Sequence, residues 1–275
     1  MSGQDSQRIK YPNCRRDLER ILTSTIVAYL INLDRRPDRW NEFVGKSKEL
    51  ELPISRFSAV DGLEISKSEL RLPPSVAACW MSHQAVAKEF LESGAEYCLV
   101  LEDDINLNHR SITGLKNLWE KSLQNIDLLQ IGFCVSHDRL SNRIRHSTQY
   151  RLVELLYRFR LLKLTPFRRI LKLIYGYEFR ILNQINQPVA VMTFELGTHA
   201  YIMSSKFAHV ILSFNHPVYL PADLAMMELT KTNEYNVFRL NRSLIDQSES
   251  PSSISNASSN VLEKEIARIT SSWES

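Results

Sequence analysis

Tyr97-Cys98-Leu99-Val100-Leu101-Glu102-Asp103-Asp104 decides how this chain is read. Five mostly apolar residues in a row predict a short strand buried on both faces. Three acids at its carboxyl end are costly to cluster, because like charges repel and each prefers water. In open α/β sheets the carboxyl edge is where ligands bind. A pair of carboxylates there suits a hard divalent cation, which can bridge to a diphosphate. The plain alternative is a solvated acidic turn before the next helix.

Outward from that strand the pattern alternates. Thr25–Asn32 reads as a first buried strand, and Pro37 opens a helix with Trp40, Phe43, Val44 and Leu50 on one face. A second strand is expected at 54–60, ending at the Asp61-Gly62 turn. A longer helix over roughly 75–93 follows Pro74 and is closed by Gly94. A helix near 111–123 and a strand near 127–131 continue the βαβ alternation. This predicts a mostly parallel sheet with helices on both faces. Further on come a strand at 198–203, a helix at 204–214 capped by Ser204 or Ser205, a helix after Pro221-Ala222-Asp223 and a last strand at 236–240.

Three segments stand apart. Residues 1–24 read as a polar leader. The expected catalytic domain is 25–247, and 248–275 reads as a serine-rich tail with a helix near 261–270. Within the domain, 138–187 breaks the alternation and reads as a basic helical insertion. Arg151–Arg180 holds eight basic residues against Glu154 and Glu178, a local charge of +6 in a chain whose net charge is +3. Aliphatics are interleaved with those cations at helical spacing. That pattern predicts an amphipathic surface for an anionic membrane or a phosphorylated glycolipid. The alternative is an apolar stripe packed on the core. Few stacking aromatics accompany the cations, so nucleic acid is not an expected partner.

At 275 residues, with 44% hydrophobic and 9% aromatic residues, the chain suits one large domain with ample core. Its start, Met1-Ser2-Gly3-Gln4-Asp5, has no apolar run behind a basic region, and no signal peptide is expected. No run of 18 apolar residues occurs. Cys14, Cys79, Cys98 and Cys134 form no Cys-x-x-Cys pair and are expected as free thiols, not zinc ligands. The expected location is cytoplasmic, peripheral on the inner face of the plasma membrane.

Six motifs fall in order along the chain. They are Tyr29-Leu30-Ile31-Asn32-Leu33-Asp34-Arg35-Arg36-Pro37-Asp38-Arg39, Phe57-Ser58-Ala59-Val60-Asp61-Gly62 and Ala78-Cys79-Trp80-Met81-Ser82-His83. Then come Leu99-Val100-Leu101-Glu102-Asp103-Asp104-Ile105, Gly197-Thr198-His199-Ala200-Tyr201-Ile202 and Leu220-Pro221-Ala222-Asp223. Together they resemble glycosyltransferase family 25, whose bacterial members build lipooligosaccharide and whose animal relatives glycosylate collagen. The resemblance covers about 26–135 and 195–250. It implies the A-type glycosyltransferase fold, a nucleotide-sugar donor such as UDP-galactose or UDP-glucose, inversion at the anomeric carbon, and a D-x-D role for the acidic motif. The acceptor would be a saccharide on a lipopolysaccharide-type glycolipid. Ala78 departs from the family pattern, in which glycine usually precedes the cysteine.

The residues then take expected roles. Glu102 and Asp104 hold the divalent cation, manganese or magnesium, with Asp103 turned aside toward the donor. Asn32, Asp34, Arg35 and Arg39 follow the first strand, where the nucleotide should lie. An arginine there offers forked donors to phosphate, unless it merely pairs with a neighbouring acid. Asp61 binds ribose or base, or is simply a turn residue. Ser82 and His83 face the site or stand one layer behind it. His199 approaches the sugar or is a satisfied buried histidine. Asp223 is the general base or a helix cap. The rivals to a transferase are a nucleotide-sugar-binding protein without catalysis and a basic nucleic-acid module.

Overall fold

The computed structural model describes residues 26–66, 72–134, 140–191, 193–232 and 234–248. The expected leader and the helix near 261–270 lie outside the described residues. Strands are β1 Ile26–Asn32, β2 Ile54–Ser58, β3 Tyr97–Glu102, β4 Ile105–Asn106, β5 Leu128–Gly132, β6 Glu178–Leu182, β7 Gln187–Val191, β8 Ala200–Ser204, β9 Val237–Leu240 and β10 Asp246–Gln247. Helices are α1 Pro37–Ser47, α2 Pro74–Ser93, α3 His109–Trp119, α4 Leu140–Arg158, α5 Thr165–Tyr175, α6 Ser205–Ser213 and α7 Ala222–Leu229.

Eight strands form one sheet in the order β2-β1-β3-β8-β5-β9-β7-β6. This is the α/β architecture of an A-type glycosyltransferase domain. Its parallel part is β2-β1-β3 together with the β5·β9 pair. β8 runs antiparallel between β3 and β5. That reversal matters for the site. It sets the start of β8 beside the acidic end of β3, with Leu101 opposite Ala200.

β3 shows why an unbroken apolar run marks a central strand. Cys98 and Val100 join the core on the face covered by α2, α6 and α7. Tyr97, Leu99 and Leu101 join the core on the opposite face, with Phe43 of α1 and Leu115 of α3. The run Tyr97–Leu101 is fully buried. Truncating a side chain such as Leu99 would cost about 2–5 kcal/mol through lost burial and the cavity left behind.

Local signals set the helix ends. Proline stands in the first turn of α1 and α2, and Gly94 closes α2 in the left-handed conformation at φ 70°. Asn108 and Ser111 cap α3 reciprocally, and Ser204 caps α6 by accepting from Phe207 N.

The 138–187 segment is helical only in part. α4, a 3₁₀ turn at Leu161–Lys163 and α5 pack around a small core of Val153, Leu156, Leu162, Leu171, Tyr175 and Phe179. The segment then returns as β6, which pairs with β7 at the sheet edge. Pro166 sits in the first turn of α5, which begins at Thr165.

Candidate active site

β3 stops at Glu102, and the next two acids turn away from the sheet. The three carboxylates meet three different environments. The Glu102 Oε1 atom accepts a 2.6 Å hydrogen bond from Thr198 Oγ1, and His83 Nε2 lies 3.2 Å from the same oxygen. Asp103 is tied down on both oxygens, by Arg39 Nη1 and Asn32 Nδ2, each at 2.7 Å. Asp104 accepts from Gln247 Nε2 at 2.6 Å, while its Oδ1 is buried with no hydrogen-bond partner among the described residues.

These environments separate the acids electrostatically. Burial and the neighbouring Glu102 charge push Asp104 up to about 7. Glu102 moves the other way. Burial disfavours its charge, but the His83 contact and the Thr198 hydrogen bond hold it below the ordinary carboxylate value. A buried, partnerless carboxylate oxygen beside a second carboxylate is what a hard divalent cation would satisfy, so Glu102 and Asp104 fit the metal expected there.

All three acids line a cavity of about 430 Å³. Its opposite wall is the loop at 59–63 and the first turn of α2. Gly62 makes that wall possible, because a Cβ there would lie 2.6 Å from Ser75 Cα. Ser82 fastens the same loop to the helix: its hydroxyl donates to Ala78 O and accepts from Val60 N. The volume is in the range of small-molecule sites.

Arg35, Arg39, Asp61, Ser82, His83, Glu102, Asp103 and Asp104 therefore reach one cavity. Arg35 Nε donates to Asp61 Oδ2 at 2.6 Å, and Leu63 N donates to Asp61 Oδ1. The Leu63 amide and Arg35 keep the Asp61 carboxyl below its usual value. Asn32 and Asp34 do not line the cavity. Asn32 is almost fully buried, and its amide is spent on Asp103, Arg36 O and Arg56. Asp34 turns outward to Arg56 and Ser58. Asn32 is a brace beneath the site, because a buried polar side chain that cannot reach water must be bonded within the protein, whereas Asp34 is mostly exposed.

His199 also stays behind the wall. It is buried, with Nε2 3.0 Å from Ile245 O. Asp223 is the second residue of α7, not its cap, and accepts from the adjacent Leu224 N. It lies outside the cavity lining but within electrostatic reach of Glu102, and burial raises its carboxyl above the usual value.

Four contributors were not assigned from the sequence: Cys79, Thr198, Tyr201 and Gln247. Tyr201 lies within 3.0 Å of His83 Nδ1 and orients that ring. Cys79 Sγ, a His83 ring nitrogen and a Glu102 oxygen lie within 4.8 Å of one another. Burial and three nearby acids push the Cys79 thiol well up, so it stays protonated at neutral pH unless a soft metal displaces the proton. Spacing could have paired Cys79 with His83, since i and i+4 share a helix face. Gln247 carries no local signal.

Comparison with known proteins now bears on this site. The family described as glycosyltransferase family 25 (LPS biosynthesis protein) matches residues 25–226. The chain belongs to glycosyltransferase family 25. Human procollagen galactosyltransferase 2 is 29% identical over 123 residues, covering 38% of this chain and 19% of that protein. A glycosyltransferase 25 family member of Aedes aegypti is 35% identical over 95 residues, covering 28% of this chain and 16% of its own length. The chain thus matches less than a fifth of the length of these family 25 relatives. The cavity and all three acids lie within the family match.

Proposed function

We propose that this chain is a metal-dependent hexosyltransferase. It would move galactose or glucose from a UDP-sugar to a saccharide on a cell-surface glycolipid of the lipopolysaccharide type. The observation that carries this reading is the partnerless Oδ1 of Asp104 beside Glu102 in the cavity wall. Family membership supports a transferase, the relatives named procollagen galactosyltransferase support a hexose, and the family description supports a lipopolysaccharide acceptor.

Glu102 and Asp104 would hold manganese or magnesium, whose charge stabilises the departing diphosphate. The remaining steps fall to the protein. Arg35, on the cavity wall, offers donors to the phosphates. The acceptor hydroxyl attacks the anomeric carbon from the face opposite the diphosphate. The new C–O bond forms as the old one breaks, and configuration inverts. Asp223 takes the hydroxyl proton, a task that its raised affinity for protons suits. His83, held between Tyr201 and Glu102, fixes the Glu102 carboxylate.

The test is hydrolysis of a panel of nucleotide sugars with manganese and no acceptor. One UDP-hexose should turn over, stop with excess chelator and recover with manganese. Full turnover in chelator would overturn the metal assignment. Tight donor binding with no turnover, with or without glycan acceptor, would favour the noncatalytic binding protein.

A further inference from the structure

We infer that residues 159–174 form a docking surface for an anionic lipid bilayer. Among the described residues, Phe159, Leu164, Ile170, Leu173 and Ile174 are large apolar side chains at least half exposed, and Leu173 reaches 87%. Five such side chains within sixteen residues are not the scattered surface apolar residues that any protein carries.

α5 shows how the exposure arises. Residues advance about 100° each around a helix axis. Phe167, Leu171 and Tyr175 are four apart and pack into the small core beside β6. Ile170, Leu173 and Ile174 fall on a second arc, beside the first and left in solvent. Arg168, Arg169 and Lys172 make up the rest. The helix thus has three faces, one against the protein, one apolar and exposed, and one basic. The two exposed faces together describe an interfacial helix, with apolar side chains at the acyl boundary and cations among head groups.

The charges choose the occupant. Arg158 is paired with Glu154, while Arg168 and Arg180 are drawn to Glu178. Arg160, Lys163, Arg169 and Lys172 are exposed and have no ion-pair partner among the described residues. Four uncompensated cations bordering an apolar strip repel a second copy of the same strip, and they attract a negative surface. No described helix is long and apolar enough to cross a membrane. This surface is independent of the transferase reading, since none of its residues lines the cavity.

Flotation of the full chain with vesicles tests it. The protein should bind phosphatidylcholine mixed with phosphatidylglycerol, fail to bind phosphatidylcholine alone, and dissociate as salt rises. Each unpaired cation is worth about fivefold in partitioning. Replacing Arg160, Lys163, Arg169 and Lys172 by Ser should weaken binding by more than about a hundredfold. The double variant Leu173→Ser, Ile174→Ser should also lose binding while keeping its circular dichroism and melting temperature, because both side chains are exposed. Equal binding to both vesicle types, binding that survives these variants, or a dimer in solution that Leu173→Ser dissociates would overturn the proposal. Donor hydrolysis without vesicles should be unchanged in every variant, which separates failure here from failure of the transferase reading.

Discussion

Arg39 Nη1 lies 2.7 Å from Asp103 Oδ1, and both side chains are nearly closed to solvent, at 6% and 10% exposure. This pair, with Asn32, joins the end of β1 to the acidic tip of β3. A buried pair adds little net stability, but removing one partner strands the other. Arg39→Ala should therefore cost about 3 kcal/mol in denaturant unfolding. Asp34→Ala, at an exposed ion pair, should leave the unfolding curve unchanged. Equal effects from the two would remove the brace role.

Asp104 makes a pH prediction. Its carboxyl rises from 3.8 to about 7 in the fold, so the folded protein holds a proton that the unfolded chain releases. Metal-free stability should then fall as pH rises from about 4 to 7, with a ceiling of about 4 kcal/mol. Asp104→Asn should flatten that slope and raise the melting temperature at neutral pH. Manganese should raise the wild-type melting temperature at pH 7 and leave that of Asp104→Asn unmoved. Thermal melts across pH, with chelator or manganese, measure all of this.

Asp223→Asn separates chemistry from folding. The side chain accepts the adjacent Leu224 amide and is not the N-cap of α7, which is Pro221. Turnover should drop about 10²–10⁴-fold with donor KM little changed, as expected for a lost proton acceptor. The melt should shift little. A large loss of stability with normal turnover per folded molecule would assign Asp223 to structure.

Gly62→Ala tests the opposite wall. The added methyl would press on the Ser75 backbone, which cannot give way as a side chain can. The loop at 59–63 should move away from α2, raising donor KM several-fold while leaving the acidic tip in place. An unchanged KM would show that the donor does not touch this wall.

Much of this was legible in the sequence, for a definite reason. A five-residue apolar run, too short for a helix of its own, reads as a strand buried on both faces, and β3 is one. Proline, glycine and serine set helix ends through local backbone chemistry, and α1, α2 and α6 begin or end at them. Where side-chain partners decide, the sequence was less informative. Asn32 ends β1 and Asp34 and Arg35 follow it, yet of these three Arg35 alone lines the cavity. Asn32 is claimed by Asp103 and Asp34 by Arg56, both far away in sequence. The reversal of β8 had no signature either, because a central antiparallel strand is as apolar as a parallel one. Through that reversal Thr198 reaches Glu102 and Tyr201 reaches His83.

Gln247 is 143 positions beyond the carboxylate it holds, and the adjacent Ser248 amide bonds the Asp104 carbonyl. Contacts of such long sequence separation form late, since the loop must close before they contribute anything. A chain growing from its N-terminus can assemble β1, β2 and β3 while the acidic tip is still open to water. The Gln247 hydrogen bond and the Ser248 contact reach Asp104 only when β10 lies on β4. A chain stopped before Gln247 should therefore fold most of its sheet and keep Glu102 and Asp103 held by Thr198, Arg39 and Asn32, yet leave Asp104 without its Gln247 hydrogen bond.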